Sequence, residues 1–338
     1  METAKAARSD GSVSVIPNPK SKLLDQVREV IRLKHYSLRT EETYVQWIKR
    51  YIFFHHKRHP REMGAPEIQA FISDLAVRLN VAASTQNQAM NALVFLYREV
   101  LHQDAGDFSG RVRAKRPKHL PVVLSISETQ RLLDALPMGT CRLMGRLLYG
   151  TGMRLMECLR LRVKDVLFEQ NQILIRDGKG FKDRMTLLPE TLKTELEQYL
   201  RRVKQLHEQD LNNGGGETGL PYALERKYPN APRDWCWQFV FPAAQLSRDP
   251  RSGRLRRHHV HESCLQRAVK AAVRLAGIQK PASCHTLRHC FATHLLEAGH
   301  DLGTKDENAR RVEQREFGVV GIREHGVVMC FCFRCGRI

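Results

Sequence analysis

Residues 147–165 read LLYGTGMRLMECLRLRVKD. The apolar residues before Gly150 keep a helical spacing, Gly150 and Gly152 interrupt it, and the spacing returns after Arg154. A glycine turn lets backbone come near a ligand, and the helix that follows fixes the arginine at its start. The stretch predicts helices over about 141–149 and 154–162, with Arg154 presented at the joint between them.

Downstream, NQILIRDGKGFKDRMTLLP (171–189) predicts two short strands joined by a Gly-rich turn that carries Lys179 between two glycines. A long helix is expected over 190–208, then an irregular stretch over 210–256 whose aromatics between turn residues predict a structured insertion. Helix returns over 261–276 and over 285–298, where Gly299 is the expected stop. The last of these begins HTLRH, which places His285 and Arg288 at i and i+3 on one helical face.

Upstream, Ser127 with Gln130 resembles a capping box that opens this second domain. Before it lies GDFSGRVRAKRPKHLP (106–121), with glycines, prolines and Arg111, Arg113, Lys115, Arg116 and Lys118 but no apolar period. It reads as a basic linker, suited to lying along phosphates and equally compatible with a solvated loop. Four helices are expected over about 22–103. Leu23, Leu24, Val27, Val30 and Ile31 mark the first, and Tyr44, Trp47, Ile48 and Tyr51 the second, capped by Thr40. Ile68, Phe71, Ile72 and Leu75 mark the third, and Ala89, Leu93, Leu96 and Val100 the fourth. Residues 1–21 read as a loose arm. The fold class expected is mainly α: a helical N-terminal domain, then an α+β domain with a small antiparallel sheet.

Composition bounds the function. The 338 residues are 42% hydrophobic and 27% charged, which reads as globular, and 55 Lys and Arg against 36 Asp and Glu give a net charge of +19. Such a surplus favours a polyanion, with nucleic acid the first candidate. No stretch approaches the roughly 20 apolar residues of a membrane helix, and no signal-peptide pattern opens the chain, so a cytoplasmic protein is expected. Nine scattered cysteines do not form a disulfide framework and read as thiols. Arg154, Lys179, His285 and Arg288 together suit a phosphodiester transition state. Two guanidiniums can hold non-bridging oxygens while lysine or histidine protonates a departing sugar oxygen.

These segments together resemble the tyrosine recombinases, and specifically the integron integrases. The resemblance is carried by LDQVREVIRLKHYSLRTEETYVQWIKRYIFFH, LPVVL, LLYGTGMR, LPYALERKYPNAP, VFP, DPRSGRLRRHH and CHTLRHCFATHLLEAGHD, across about residues 22–303. It implies a core-binding (SAM-like) DNA-binding domain over 22–105, a linker over 106–120 and a catalytic domain over 121–304 with an integron-type insertion at 210–256. It implies that Arg154 and Arg288 are the catalytic arginines, Lys179 a general acid and His285 the histidine of the site. It implies no metal or cofactor, and a tyrosine nucleophile working in a DNA-bound homo-tetramer that inserts and excises gene cassettes. Arg256, Arg257, His258 and His259 fall in the segment such enzymes use on folded single-stranded and double-stranded sites. For Trp235 and Trp237, packing within the insertion is the expected role and base stacking the alternative.

The chain then departs from the family. After LEAGHD there is neither an LGH box nor a tyrosine, and the last tyrosine anywhere is Tyr228. Residues 305–338 read as a frameshift or a fusion to foreign sequence. FGVVGI and VVMCFCF are β-prone and nearly uncharged, and the C-x-C-x-x-C of Cys330, Cys332 and Cys335 lacks a clear fourth zinc ligand. The expected protein is a recombinase by ancestry that has lost strand cleavage. The alternative is an inactive DNA-binding protein acting as a dominant-negative partner of an active integrase.

Overall fold

The computed structural model describes residues 21–103, 120–176, 183–221, 224–249 and 252–298, and the backbone of 317–324 and 327–334. The chain divides into two compact units, within 1–119 and 120–338.

The first unit is helical. It comprises α1 (Leu23–Leu33), α2 (Leu38–Phe54), α3 (Ala65–Val77) and α4 (Ala83–Phe95), with α4 prolonged by a π-helical turn, Leu96–Val100. The apolar stripes meet in one core that includes Val30, Ile31, Ile48, Phe71, Leu75 and Leu93. Each such side chain, fully buried, contributes about 1.5–3 kcal/mol. Two buried phenols of this core are hydrogen-bonded. Tyr97 donates its hydroxyl hydrogen to the Pro60 carbonyl at 3.0 Å, which leaves its oxygen to accept from Tyr51 at 2.9 Å. The cap of α2 is Ser37, whose Oγ accepts from the Thr40 N–H at 3.2 Å, so the helix begins before Thr40, the cap expected from sequence.

The second unit opens with α5 (Ile126–Asp134), α6 (Thr140–Thr151) and α7 (Leu155–Leu159). Ser125 and Glu128 form the capping box of α5, in place of the expected Ser127 and Gln130. The helix behind Arg154 is shorter than expected; it stops at Leu159 and is followed by a 3-10 turn, Val163–Asp165. Three strands, β1 (Val166–Leu167), β2 (Gln172–Ile175) and β3 (Arg184–Leu187), make an antiparallel sheet in the order β1-β2-β3, one strand more than the spacing predicts. Helix α8 (Glu190–Asn212) runs 23 residues, about 35 Å at the α-helical rise.

The insertion is ordered by short elements: α9 (Leu224–Lys227), 3-10 turns at Ala231–Arg233 and Trp235–Trp237, and the antiparallel pair β4 (Ser247–Arg248) and β5 (Leu255–Arg256). The Gln238 side-chain amide donates to the carbonyls of Pro232 (3.0 Å), Asp234 (3.2 Å) and Gly216 (3.4 Å), a local substitute for regular backbone pairing. Helices α10 (Glu262–Leu275) and α11 (Cys284–Glu297) complete the core with α6, through Leu147, Leu148, Leu265, Val269, Leu287 and Cys290. His294 pins α11 in place. Its Nε2–H donates to the Leu124 carbonyl at 2.8 Å, so Nδ1 accepts from the Tyr149 hydroxyl, also at 2.8 Å. In the tail, β6 (Phe317–Glu324) and β7 (Val327–Arg334) pair as an antiparallel hairpin from Phe317↔Arg334 to Glu324↔Val327.

Candidate active site

The turn between α6 and α7 is shaped by its side chains. Thr151 Oγ1 donates to the Leu147 carbonyl at 2.6 Å and accepts from the Met153 N–H at 3.3 Å, while Thr186 of β3 donates to the Thr151 carbonyl at 2.9 Å. Gly152 ends α6 in the left-handed region at φ +63°, and a Cβ there would lie 2.5 Å from the Phe291 ring. Both conditions require glycine. The chain thereby approaches α11 closely, and Arg288 donates from Nη1 to the Gly152 carbonyl.

Arg154 sits at the N-cap of α7. Its backbone N–H donates to Glu157 Oε2 at 2.7 Å and its Nη1 to Oε1 at 2.8 Å. Arg184, at the start of β3, donates from Nη2 to Glu157 Oε2 at 2.8 Å. One largely buried carboxylate therefore holds two arginines from different elements, and Arg288 approaches from a third. Arg288 has its pKa lowered by burial, then by the neighbouring Arg154 and Arg184 charges. That of Arg184 is lowered by burial too, against the pull of Glu157. Three guanidiniums near one carboxylate leave surplus positive charge, the electrostatics of an anion site.

His285 lies one turn before Arg288 and is exposed. Its ring stands nearly perpendicular to that of His289, centroids 4.5 Å apart. Its pKa is lowered by burial of part of the ring and then by His289, Arg288 and Arg154, which favours the neutral imidazole able to exchange a proton. The structure thus brings Arg154, His285 and Arg288 together and adds Glu157 and Arg184, which sequence reading passed over. Glu157 was open to detection as the i+3 partner of Arg154. Arg184 reaches the site through strand pairing, with Arg184 opposite Ile175. Lys179 lies outside the described residues, as do Arg111, Arg113, Lys115, Arg116 and Lys118.

The expectation that Arg256 and Arg257 face DNA is corrected by their burial, at 4% and 8% exposure. Arg257 pairs with both oxygens of Asp210 and donates to the carbonyls of Ala243 (2.7 Å) and Ala244 (3.0 Å). Arg256 reaches Glu225 at 2.8 Å and Asp249 at 3.2 Å. Both guanidiniums are consumed in fastening the insertion. His258 and His259 instead cluster with Phe239, ring centroids 5.6 and 5.2 Å away, beside Arg162, whose guanidinium lies 4.2 Å over the Phe239 ring. Burial lowers the pKa of both histidines, that of His259 to about 4. Trp235 packs on the core near His207, and Trp237 is covered by Lys164, 2.9 Å over its ring. Among the described residues no three His, Cys, Asp or Glu side chains gather as metal ligands, and no helix is long and apolar enough to cross a membrane.

The fold is a helical unit followed by an α+β unit in which arginines from a turn, a strand and a helix converge on a site suited to an anion. Two family models match: "Phage integrase, N-terminal SAM-like domain" over residues 23–107 and "Phage integrase family" over 123–304. The chain belongs to the phage integrase family, the tyrosine recombinases. It is 49% identical over 283 residues to an Escherichia coli protein named "Integrase/recombinase", covering 84% of each. It is 30% identical over 263 residues to the tyrosine recombinase XerD of Agrobacterium fabrum, covering 73% of this chain and 72% of that protein. A lambda integrase dimer bound to a COC′ core site shares the fold, with a TM-score of 0.53 at 15% identity, covering 86% of this chain and 92% of that one.

Proposed function

We propose that the chain is a site-specific DNA recombinase by descent, of the integron-integrase type, that binds folded and double-stranded recombination sites but does not cleave them. The observation that carries this reading is the convergence of Arg154, Arg184, Arg288 and His285 in a chain whose last tyrosine is Tyr228. The guanidiniums suit the non-bridging oxygens of a phosphodiester, where charge develops during displacement. His285, neutral at pH 7, would accept or donate a proton at the site, with Lys179 proposed as general acid to the departing sugar oxygen.

The nucleophile is what this chain lacks. Tyr149 is buried with its hydroxyl committed to His294, and burial holds its pKa far above the ordinary phenol value. Tyr199 is also raised by burial, and its oxygen accepts from Thr140 at 3.3 Å. Tyr228 is exposed in the insertion, three residues before the 3-10 turn at Ala231–Arg233. The proposed DNA contacts are the basic residues of 111–118 together with the His258–His259 face. Tetramer assembly on DNA and cassette exchange belong to the same reading, as properties of the ancestor.

The test is a covalent-trap assay with the full chain and a labelled, nicked, folded DNA hairpin. The expected result is a shifted band on a native gel and no protein–DNA adduct on a denaturing gel. An adduct would overturn the loss of cleavage, and mapping it would identify the attacking residue. Absence of any native-gel shift would overturn the DNA-binding half of the reading.

A further inference from the structure

Two thiols on neighbouring helices of the second unit touch. Cys141 lies in the first turn of α6 and Cys264 in the first turn of α10, with their Sγ atoms 3.9 Å apart and both side chains half-buried. Cys158, Cys284 and Cys290 are buried, Cys284 near enough to Cys141 for their charges to interact and Cys290 accepting from the Leu124 N–H at 3.2 Å, while Cys236 is exposed in the insertion.

We infer that Cys141 and Cys264 form an oxidisable dithiol, a modification site that a peroxide converts into an intrachain disulfide joining α6 to α10. The step balances. One thiolate attacks a peroxide oxygen, breaking the O–O bond and giving a sulfenic acid and water once protons are returned. The second thiolate displaces the sulfenic oxygen as a second water and forms the S–S bond. The two sulfurs are oxidised together by two electrons and the peroxide is reduced.

Geometry favours this pair. The sulfurs have to close from 3.9 Å to the bonded distance of about 2.05 Å, and the helices that carry them already share one core through Leu143, Met144, Leu265 and Val269. Partial exposure admits a small oxidant. Burial, and then the neighbouring Cys264, push the Cys141 thiol up to about 11, so its thiolate is scarce at neutral pH and oxidation calls for excess oxidant.

The bridge would span 123 positions of sequence and enclose α7, the three-stranded sheet, α8 and the insertion. Arg154 and Arg184 fall inside that ring. A cross-link of such length restricts the unfolded chain far more than the folded one. The oxidised form is therefore the more heat-resistant, with Arg154, Glu157 and Arg184 inside the closed loop and His285 and Arg288 outside it.

The test uses the full chain incubated with excess hydrogen peroxide, blocked with an alkylating agent, and digested without reductant. The expected result is a linked peptide joining Cys141 to Cys264, abolished by dithiothreitol, with Tm raised by about 5–10 °C. Cys264→Ser and Cys141→Ser should each lose that peptide, so one poorly folding variant leaves the other to decide. The inference is overturned if both thiols remain alkylatable, or if the bridge forms through Cys284, Cys236, Cys330, Cys332 or Cys335 instead.

Discussion

Glu157 holds Arg154 twice, through the backbone N–H at 2.7 Å and through Nη1 at 2.8 Å, so one carboxylate both caps α7 and fixes the guanidinium. Arg184 shares the same carboxylate. Glu157→Ala removes the carboxylate that Arg154 and Arg184 share and leaves two partly exposed guanidiniums facing each other. The expected cost is about 1–3 kcal/mol, less than for a fully buried pair because solvent screens both arginines. Urea unfolding should show a lower midpoint with an unchanged slope, and a loss under about 0.5 kcal/mol would argue against the node.

Gly152 is constrained by φ +63° and by the Phe291 ring 2.5 Å from where a Cβ would stand. The two effects can be separated. Gly152→Ala should cost about 2–4 kcal/mol from backbone strain and overpacking together. In a Phe291→Ala background the steric part vanishes and only the backbone part persists, so the glycine change should cost less there. Equal cost in both backgrounds would show that the ring is not in the way.

Short-range relations were legible in the sequence and long-range ones were not. His285 and Arg288 share a helical face, and the periodicity of α11 reveals it; the turn at Gly152 and the strands around Lys179 announce themselves in the same way. Caps moved by two or three residues, to Ser37 and Ser125, because several hydroxyl residues compete near each helix start and packing selects among them. Arg184 was missed because sheet pairing, not spacing, carries it to Glu157. Arg256 and Arg257 fall to DNA by the resemblance of their segment alone, because sequence displays charges without their partners. Asp210, 47 positions from Arg257, is what turns that guanidinium inward.

The insertion should also respond to pH. Burial lowers the His259 pKa from 6.5 to about 4 even though its Nδ1–H donates to the Val260 carbonyl at 2.8 Å, and burial lowers those of His207 and His258 as well. A base with a depressed folded pKa takes up its proton more readily when unfolded. Stability is therefore fully present above about pH 6.5, declines as pH falls, and levels off near pH 4 for the His259 contribution. Thermal unfolding between pH 7.5 and about 4.5 should show this decline. His259→Gln should flatten it, and an unchanged slope in the variant would place the linkage elsewhere.

Asp210 and Arg257 supply the sharpest test of how the insertion is held. Arg257 meets both carboxylate oxygens of Asp210, Nη2 at 2.7 Å from Oδ1, and spends its remaining donor on the Ala243 and Ala244 carbonyls. Asp210 closes α8, so the pair ties the end of that helix to the strand region at β5. Asp210→Ala strands a buried guanidinium and is expected to cost about 3–5 kcal/mol. Replacing both residues with apolar side chains of matching volume should recover much of that loss, since the desolvation penalty of the ions disappears with them. Hydrogen exchange should locate the damage in the insertion, with the amides of α6 and α11 kept protected. If Asp210→Ala instead loosened α6 and α11 to the same extent, the insertion would be an integral part of the second unit's core and not a separately fastened element.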